Sequence, residues 1–337
     1  RPDSRVRAQA ALGAITAVFA DPEHRGWFGS VQPDGTASSG KSCYDHAFVL
    51  LAAATGVQAG LDGAADLLDE AGAVFLSRFW DDAPGLCRDS WDTSWTVLDP
   101  YRGLNSNMHS VEAMLAVADA TGDRAWLGRA LRVCRFVAAI AAEHGWRLPE
   151  HFDNSWNPLL EYNRDVPTDP FKPFGATVGH GFEWARLLLH TQAAAGPDPS
   201  LVEAASHLYT RAAADGWAAD GNPGFVYTTD FDGTPVVTDR LHWVAAEAVN
   251  TASCLARATG DSSAEADYRS WWDYIARYVI DHVDGGWFHQ LDSANRPAAS
   301  IWPGKPDLYH AVQATLIPRL PLAPGLAAAL RQKASAA

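Results

Sequence analysis

Apolar residues recur at three- and four-residue spacing along almost the whole chain, which is the pattern of amphipathic helices. Thr-Gly-Asp at 121–123 and 259–261 supports helix boundaries, because Gly can end one helix and Asp can begin the next. Short strand signals, such as residues 224–229, are confined to the connections. The pattern predicts ten helices, over residues 6–19, 45–55, 64–79, 107–120, 125–142, 179–194, 200–214, 241–259, 264–282 and 306–317.

Two series of residues repeat along the chain at intervals of 62 to 71 residues. One consists of aromatic residues in the predicted connections: Trp27, Trp91, Trp156, Phe225 and Trp287. The other consists of histidines, each placed in the first turn of a predicted helix: His46, His109, His180, His242 and His310. A repeat of two helices and a loop is a helical hairpin, and stacked hairpins form solenoids or closed rings. We favour a ring, because histidines at equivalent helix starts then converge on one axis.

The chain is shorter than a complete ring of six such hairpins. Six repeats of this length need about 390 residues, and the chain has 337. We therefore expect an all-α fold, an (α/α)6 barrel formed as one domain over residues 1–337, with the first hairpin upstream of residue 1.

Composition and charge exclude several classes of protein. With 47% hydrophobic residues the chain can build a large core, and its net charge of −14 disfavours nucleic acid or an anionic membrane as partner. Its longest apolar run, residues 47–54, is too short to span a bilayer. The four cysteines form no CxxC pair, which favours free buried thiols over a disulfide framework or a zinc site. As the first residues do not resemble a signal peptide, we expect a cytoplasmic protein.

Two of the periodic histidines have a glutamate one turn further on, on the same helix face: His109 with Glu112 and His180 with Glu183. Di-iron bundles use the reverse order, Glu-x-x-His, so we expect no metal. The sequence contains neither a Gly-x-Ser-x-Gly elbow nor a phosphate loop, so we expect no serine hydrolase and no nucleotide cofactor. General acid–base catalysis by neutral histidines remains, because imidazole titrates near neutral pH. The fourteen tryptophans suit either a core or a sugar-binding cleft.

Five longer segments resemble the N-acylglucosamine 2-epimerase superfamily, and within it the aldose–ketose isomerase branch that includes D-mannose and sulfoquinovose isomerases. The segments are YRGLNSNMHSVEA at 101–113, EHFDNSWNPLLEYNRD at 150–165, PFGATVGHGFEWARLL at 173–188, GGWFHQLD at 285–292 and GKPDLYH at 304–310. The resemblance extends from about residue 21 to residue 325.

The resemblance implies an (α/α)6 barrel with the site at the mouth where the inner helices begin. Two histidines, His180 and His310, would transfer protons without a metal or cofactor, and Glu183 would support His180. The family's sugar pocket would be lined here by Tyr44, Asn105, His109, Trp243 and Glu247. An arginine that the family supplies from its first inner helix has no counterpart in this chain. The implied ligand is a monosaccharide, bound by a monomer or a homodimer.

Departures from the family pattern favour a neutral sugar. Sulfoquinovose isomerases carry Gln at the positions of His289 and Pro306 and Arg near Pro170, although Lys172 lies close by. The resemblance therefore implies conversion of D-mannose to D-fructose through a cis-enediolate, with D-lyxose to D-xylulose as a second activity.

Besides a sulfoquinovose isomerase of the same superfamily, three alternatives stay open at this point. A sugar 2-epimerase could use the same two histidines on both faces of C2. An inverting glycoside hydrolase would need two carboxylates about 6.5–9.5 Å apart, with Glu183, Glu247 and Asp307 as candidates. A sugar-binding module without catalysis is the third.

Overall fold

The computed structural model describes residues 2–336, and helices dominate this part of the chain. The α-helices are α1 Pro2–Ala14, α2 Cys43–Ala59, α3 Ala64–Val74, α4 Leu104–Thr121, α5 Ala125–Glu143, α6 Val178–Ala195, α7 Pro199–Gly216, α8 His242–Thr259, α9 Ser262–Tyr274, α10 Tyr309–Leu316 and α11 Leu326–Ala336. Wider π-helical turns extend α1, α3 and α9, at Ile15–Phe19, Phe75–Phe79 and Ile275–Val279, and a 3-10 turn, Ile317–Arg319, follows α10. All ten predicted helices are present; α11 was not predicted.

The strands are two or three residues long and lie in the connections. They are β1 Lys41–Ser42, β2 Trp80–Asp81, β3 Leu86–Cys87, β4 Ser90–Trp91, β5 Arg102–Gly103, β6 His151–Phe152, β7 Ala176–Thr177, β8 Thr228–Thr229, β9 Pro235–Val237, β10 Arg240–Leu241, β11 Gln290–Leu291 and β12 Pro297–Ala298. Four of them, β1, β5, β7 and β10, end directly before a helix. They therefore fix the residue at which α2, α4, α6 and α8 begin.

The chain divides into two compact units. Unit 1 comprises Arg1–Val133, Phe152–Asn157 and Ala323–Ala337, of which Arg1 and Ala337 fall outside the described residues, and unit 2 comprises Cys134–His151 and Pro158–Leu322. The expectation of a single barrel domain over the whole chain stays a prediction.

In unit 1, α2 packs against both α3 and α4. The hydroxyl of Ser42 caps α2 by accepting a hydrogen bond from the Asp45 backbone N–H at 3.0 Å. Gly60 ends the helix in the left-handed conformation, with φ of 65°, so the chain turns sharply into α3. Fully buried Leu50, Phe75 and Met108 fill the space between these helices.

In unit 2, α6 packs against α7 and α8, and α8 also packs against α9 and α10. An aromatic cluster forms much of this core. The Phe182 ring lies 5.1 Å from that of Phe225 and 5.5 Å from that of Trp271, both edge to face. Helix α6 therefore packs against these aromatic residues and against α8. Helix α8 carries site residues that are described below.

Antiparallel bridges that follow α1, α3, α7 and α9 correct the predicted aromatic repeat. Within unit 1, Ala20 pairs with Trp27 and Trp80 pairs with Cys87; within unit 2, Trp217 pairs with Phe225 and Ile280 with Trp287. Cys87 rather than Trp91 is thus the counterpart of Trp27, and Trp91 instead pairs with Lys41 in β1. The assignment of Trp91 to the series was therefore wrong by four residues: Cys87 at the equivalent position is not aromatic, and the next tryptophan follows four residues later.

The periodic histidines also occupy different helix positions. His310, His242, His180 and His46 are within the first four residues of their helices, but His109 is the sixth residue of α4, on its second turn. The His46 ring contacts Trp27, Phe79 and Trp95, its Nδ1 lies 2.7 Å from the Ser42 carbonyl oxygen, and its Nε2 accepts a hydrogen bond from the Trp27 backbone N–H. Burial lowers the pKa of His46 to about 4. His46 is therefore a neutral core residue of unit 1, and the convergence of the five histidines stays a prediction.

All four cysteines are free and buried, as predicted. Among the described residues, no helix combines the length and the hydropathy that crossing a bilayer requires.

A buried ion pair fixes the first hairpin of unit 1 to the start of α2. The Lys41 Nζ atom lies 2.7 Å from Asp21 Oδ2, and neither side chain reaches solvent appreciably. We expect Lys41→Met to lower the free energy of unfolding by about 3–5 kcal/mol, because Asp21 would be left buried without its cation. Urea denaturation measures this. The matched control is Arg269→Met, which removes an exposed pair with Glu265. It should change the free energy of unfolding by less than about 0.5 kcal/mol. Equal effects of the two substitutions would contradict the prediction.

Candidate active site

Polar side chains that are almost fully buried gather at the start of α6. His180, Glu183 and Arg186 recur every third residue along one side of this helix. Strand β7 directly precedes α6 and pairs with β8. The strand pairing fixes where the helix begins, and so determines the direction in which these three side chains point.

Arg186 lies between two buried carboxylates. Its Nε atom is 2.7 Å from Glu247 Oε2 of α8, and one of its terminal nitrogens is 3.2 Å from Glu183 Oε1. Burial alone would raise the pKa of Glu247, but Arg186 and His310 outweigh burial and hold the pKa below its ordinary value. Glu247 is therefore a carboxylate at neutral pH.

His310 of α10 is held by the same carboxylate. Its Nδ1 atom lies 3.0 Å from Glu247 Oε1. An ionised carboxylate only accepts hydrogen bonds, so the Nδ1–H of His310 is the donor. In the neutral ring the lone pair is then on Nε2, which is the atom that can take up or release a proton.

His180 has the same arrangement with a different partner. Its Nδ1 atom lies 3.0 Å from Oε1 of Glu150, a buried residue just before β6. The expectation that Glu183 supports His180 is corrected accordingly: Glu150 holds the His180 ring, and Glu183 lies against Arg186. Spacing within a helix could not reveal Glu150, because it is 30 residues away in the sequence.

The Trp243 indole stands beside both imidazoles. The ring centroids of Trp243 and His180 are 5.2 Å apart, and those of Trp243 and His310 are 5.7 Å apart. The interplanar angles are similar, 36° and 33°. Within unit 2, five of the predicted site residues are thus brought together: His180, Glu183, Trp243, Glu247 and His310.

His242, next to Trp243, faces His310 at 6.2 Å between ring centroids. Burial, followed by the influence of His310 and His289, holds the pKa of His242 well below its ordinary value. The ring is therefore neutral at physiological pH. Arg186 and Glu150 are the residues of this cluster that the sequence did not single out, whereas His242 was one of the five periodic histidines but was given no role in the site. Glu150 and Arg186 nevertheless lie in two of the family-like segments, 150–165 and 173–188.

The three remaining predicted residues belong to unit 1 and lie near one another. The Tyr44 and His109 rings meet edge to face at 5.0 Å, and Asn105 is one turn before His109 on α4. His109 Nδ1 also lies 3.7 Å from Glu112 Oε2. That these residues share a pocket with the cluster of unit 2 stays a prediction.

The predicted site residues share two helix positions. The second residue of α2, α4, α8 and α10 is a predicted site residue, and so is the sixth of α4, α6 and α8. Only His180, the third residue of α6, departs from this register. These residues are Tyr44, Asn105, Trp243 and His310 at the second position, and His109, Glu183 and Glu247 at the sixth.

The carboxylates could in principle bind a cation. The ligand atoms of Glu183, Glu247 and His310 lie within 4.8 Å of one another. Arg186 already supplies a positive charge to both glutamates, and a metal ion would have to compete with it. The expectation of chemistry without a metal stays a prediction, which this arrangement favours.

Comparisons with known proteins identify the family and, with it, the (α/α)6-barrel fold class. A model of the N-acylglucosamine 2-epimerase (GlcNAc 2-epimerase) family matches residues 1–314. The chain belongs to this family, and the expected fold class is confirmed.

Individual relatives are similar over most of the chain. A D-mannose isomerase of Thermobifida fusca is 52% identical over 333 residues, which are 98% of this chain and 82% of the relative. A D-mannose isomerase of Pseudomonas cannabina pv. alisalensis is 47% identical over 326 residues, 95% of this chain and 78% of the relative. A crystal structure of a D-mannose isomerase superposes with a TM-score of 0.89 at 27% identity, over 95% of this chain and 82% of that one.

The Arg186 ion network yields a stability prediction. We expect Arg186→Met to lower the free energy of unfolding by about 3–5 kcal/mol, because it leaves Glu247 buried without its guanidinium partner. Chemical denaturation measures the loss, and the double variant Arg186→Met/Glu247→Gln should recover part of it. Arg135→Met, which breaks an exposed pair with Asp198, is the control and should have little effect. A loss below about 1 kcal/mol for Arg186→Met would contradict this account.

Proposed function

We propose that the chain is an aldose–ketose isomerase that interconverts D-mannose and D-fructose. The observation that carries the proposal is the pair His180 and His310, each with its Nδ1 on a buried carboxylate and both beside the Trp243 indole. Relatives of 52% and 47% identity that are named D-mannose isomerases support the choice of sugar.

In the proposed mechanism the pocket first opens the pyranose ring. The Nε2 atom of one histidine then removes the proton from C2 of the open-chain aldose, giving a cis-enediolate. A proton is delivered to C1 while another moves between O2 and O1, so the proton count is unchanged. Glu150 and Glu247 hold the Nδ1 atoms of the two rings, which leaves Nε2 of each ring as the proton-transfer atom. No metal ion or cofactor takes part.

The remaining predicted residues bind the sugar. Asn105 and His109 stabilise the developing oxyanion, Tyr44 and Trp243 form apolar walls, and Glu183 acts through Arg186 on Glu247. We further propose that the protein works in the cytoplasm as a monomer or a homodimer, and that D-lyxose is a second substrate.

A 2-epimerase is the alternative that the family favours most. Two histidines beside one cleft could protonate C2 from either face, and the matched family is named for an epimerase. The product distinguishes the two, because an isomerase converts D-mannose to D-fructose and an epimerase converts it to D-glucose. A glycoside hydrolase is disfavoured, because Glu183 and Glu247 are engaged by Arg186.

The roles of the two histidines are tested by replacing them. We expect His180→Ala and His310→Ala each to lower kcat for D-mannose by at least about 100-fold, since each removes a proton-transfer group. Fructose formation and thermal melting are measured together. His207→Ala is the control, because this half-exposed histidine stacks on Trp146 in a different part of unit 2. More than a few per cent of activity in either site variant, with an unchanged fold, would refute the assignment.

Solvent exchange tests the enediolate. A proton held on Nε2 can exchange with water, so turnover in heavy water should place deuterium at C1 of the fructose, at least in part. Longer incubation should also label C2 of the remaining mannose through the reverse reaction. Mass spectrometry and NMR of the sugars measure both labels, and fructose incubated without enzyme is the control. Unlabelled fructose after many turnovers would indicate a hydride shift instead and would exclude the proposed mechanism.

A further inference from the structure

Helix α6 differs from the other four helices that carry predicted site residues. At the second helix position, where α2, α4, α8 and α10 carry Tyr44, Asn105, Trp243 and His310, α6 carries Gly179. Its φ does not lie in the left-handed region, so the backbone would accept any residue. Glycine is therefore needed at this position because there is no room for a side chain, and not because of the backbone conformation.

The space beside Gly179 is filled by the indole of Trp243. A Cβ atom built on Gly179 would lie 2.6 Å from Trp243 Cη2 and 2.9 Å from Cε3, and nearer still to Cζ3. Distances below 3.0 Å are essentially never found for real Cβ atoms. An alanine methyl group here would therefore have to move the six-membered ring of the indole.

The indole has few directions in which to move. Its rings lie against His180 at 5.2 Å and His310 at 5.7 Å, and Tyr227 meets it edge to face at 6.0 Å. Packed aromatic groups have little free volume, so a displacement of one is passed to its neighbours. A displacement of Trp243 would thus change the positions of the two imidazoles or the room between them.

We propose that Gly179 is a positioning residue of the site: the absence of its side chain forms a slot that holds the Trp243 indole at the depth at which His180 and His310 are correctly placed. The proposal rests on the proposed function, since it concerns the same two histidines. A displacement of about 1 Å can lower a turnover rate about 100-fold.

The second glycine of the same segment provides a matched control. A Cβ atom on Gly181 would lie 3.1 Å from the Cβ of Ala212, on the outer helix α7. The two glycines of the sequence Gly-His-Gly therefore face different sides of α6. Gly181→Ala disturbs the packing of α6 and α7 without touching Trp243.

The experiment is a double-mutant cycle. We expect Gly179→Ala to lower kcat at least about 100-fold with a smaller change in KM, and Gly181→Ala to keep kcat within a few-fold even if its Tm falls. Trp243→Phe shortens the ring, so the double variant Gly179→Ala/Trp243→Phe should turn over no more slowly than Trp243→Phe alone. Such non-additivity shows that the methyl group acts through the indole.

An imidazole NMR readout separates this proposal from the function. The indole ring current shifts the His180 and His310 signals, so Gly179→Ala should move them and Gly181→Ala should not, whatever the sugar. Wild-type protein that leaves D-mannose unchanged would overturn the proposed function alone. The positioning role is overturned if Gly179→Ala leaves these signals in place, if it keeps kcat within threefold, or if its effect adds fully to that of Trp243→Phe. If Gly179→Ala does not fold, recovery of the fold in the double variant supports the slot, and failure of both overturns it.

Discussion

The geometry of the site depends on the guanidinium of Arg186, buried between Glu183 and Glu247. Two carboxylates this close together in a protein interior would not both stay ionised without a cation, because burial favours their neutral forms. Arg186 supplies that cation, bonding to Glu247 at 2.7 Å and to Glu183 at 3.2 Å. Glu247 can then hold the Nδ1 of His310, so one buried positive charge connects α6, α8 and α10 and sets the tautomer of an imidazole that it does not touch.

The Nδ1 atom of His180 is also held by a carboxylate, but by a different one. Its carboxylate, Glu150, comes from the connection before β6 rather than from a neighbouring helix. The two rings thus have equivalent Nδ1 partners but independent supports, and the Trp243 indole stands beside both. A carboxylate holds Nδ1 in each case, which leaves Nε2 of each ring as the atom that exchanges protons.

Helix periodicity predicted which segments are helical, because the apolar spacing that buries one helix face is a local property of the sequence. It could not predict the direction of individual side chains, since direction depends on the residue at which a helix begins. His46 and His109 illustrate this: they are 63 residues apart and looked equivalent, yet one is the fourth residue of its helix, in the core, and the other the sixth, beside Tyr44. Trp91 was misplaced because spacing does not reveal how the short strands β3 and β4 pair, and Glu150 was missed because its partner is distant in the sequence. The site residues could be predicted only through the family resemblance, because a family's known site reflects which distant residues meet in the fold.

For three helices, α2, α8 and α10, a charge in the preceding segment further constrains the residue at which the helix begins. Lys41, directly before α2, binds Asp21 in the hairpin of unit 1; within unit 2, Arg240 binds Asp220 before α8 and Lys305 binds Asp281 before α10. In each case a cation in the segment before the helix binds an aspartate in the turn after α1, α7 or α9. A shift of the helix by one residue would break this pair and rotate its side chains by about 100°. These ion pairs therefore constrain where the second residues of α2, α8 and α10 point, and the residue types there determine the chemistry. Gly179 is the second residue of α6, and the space where its side chain would lie is occupied by the Trp243 indole of α8.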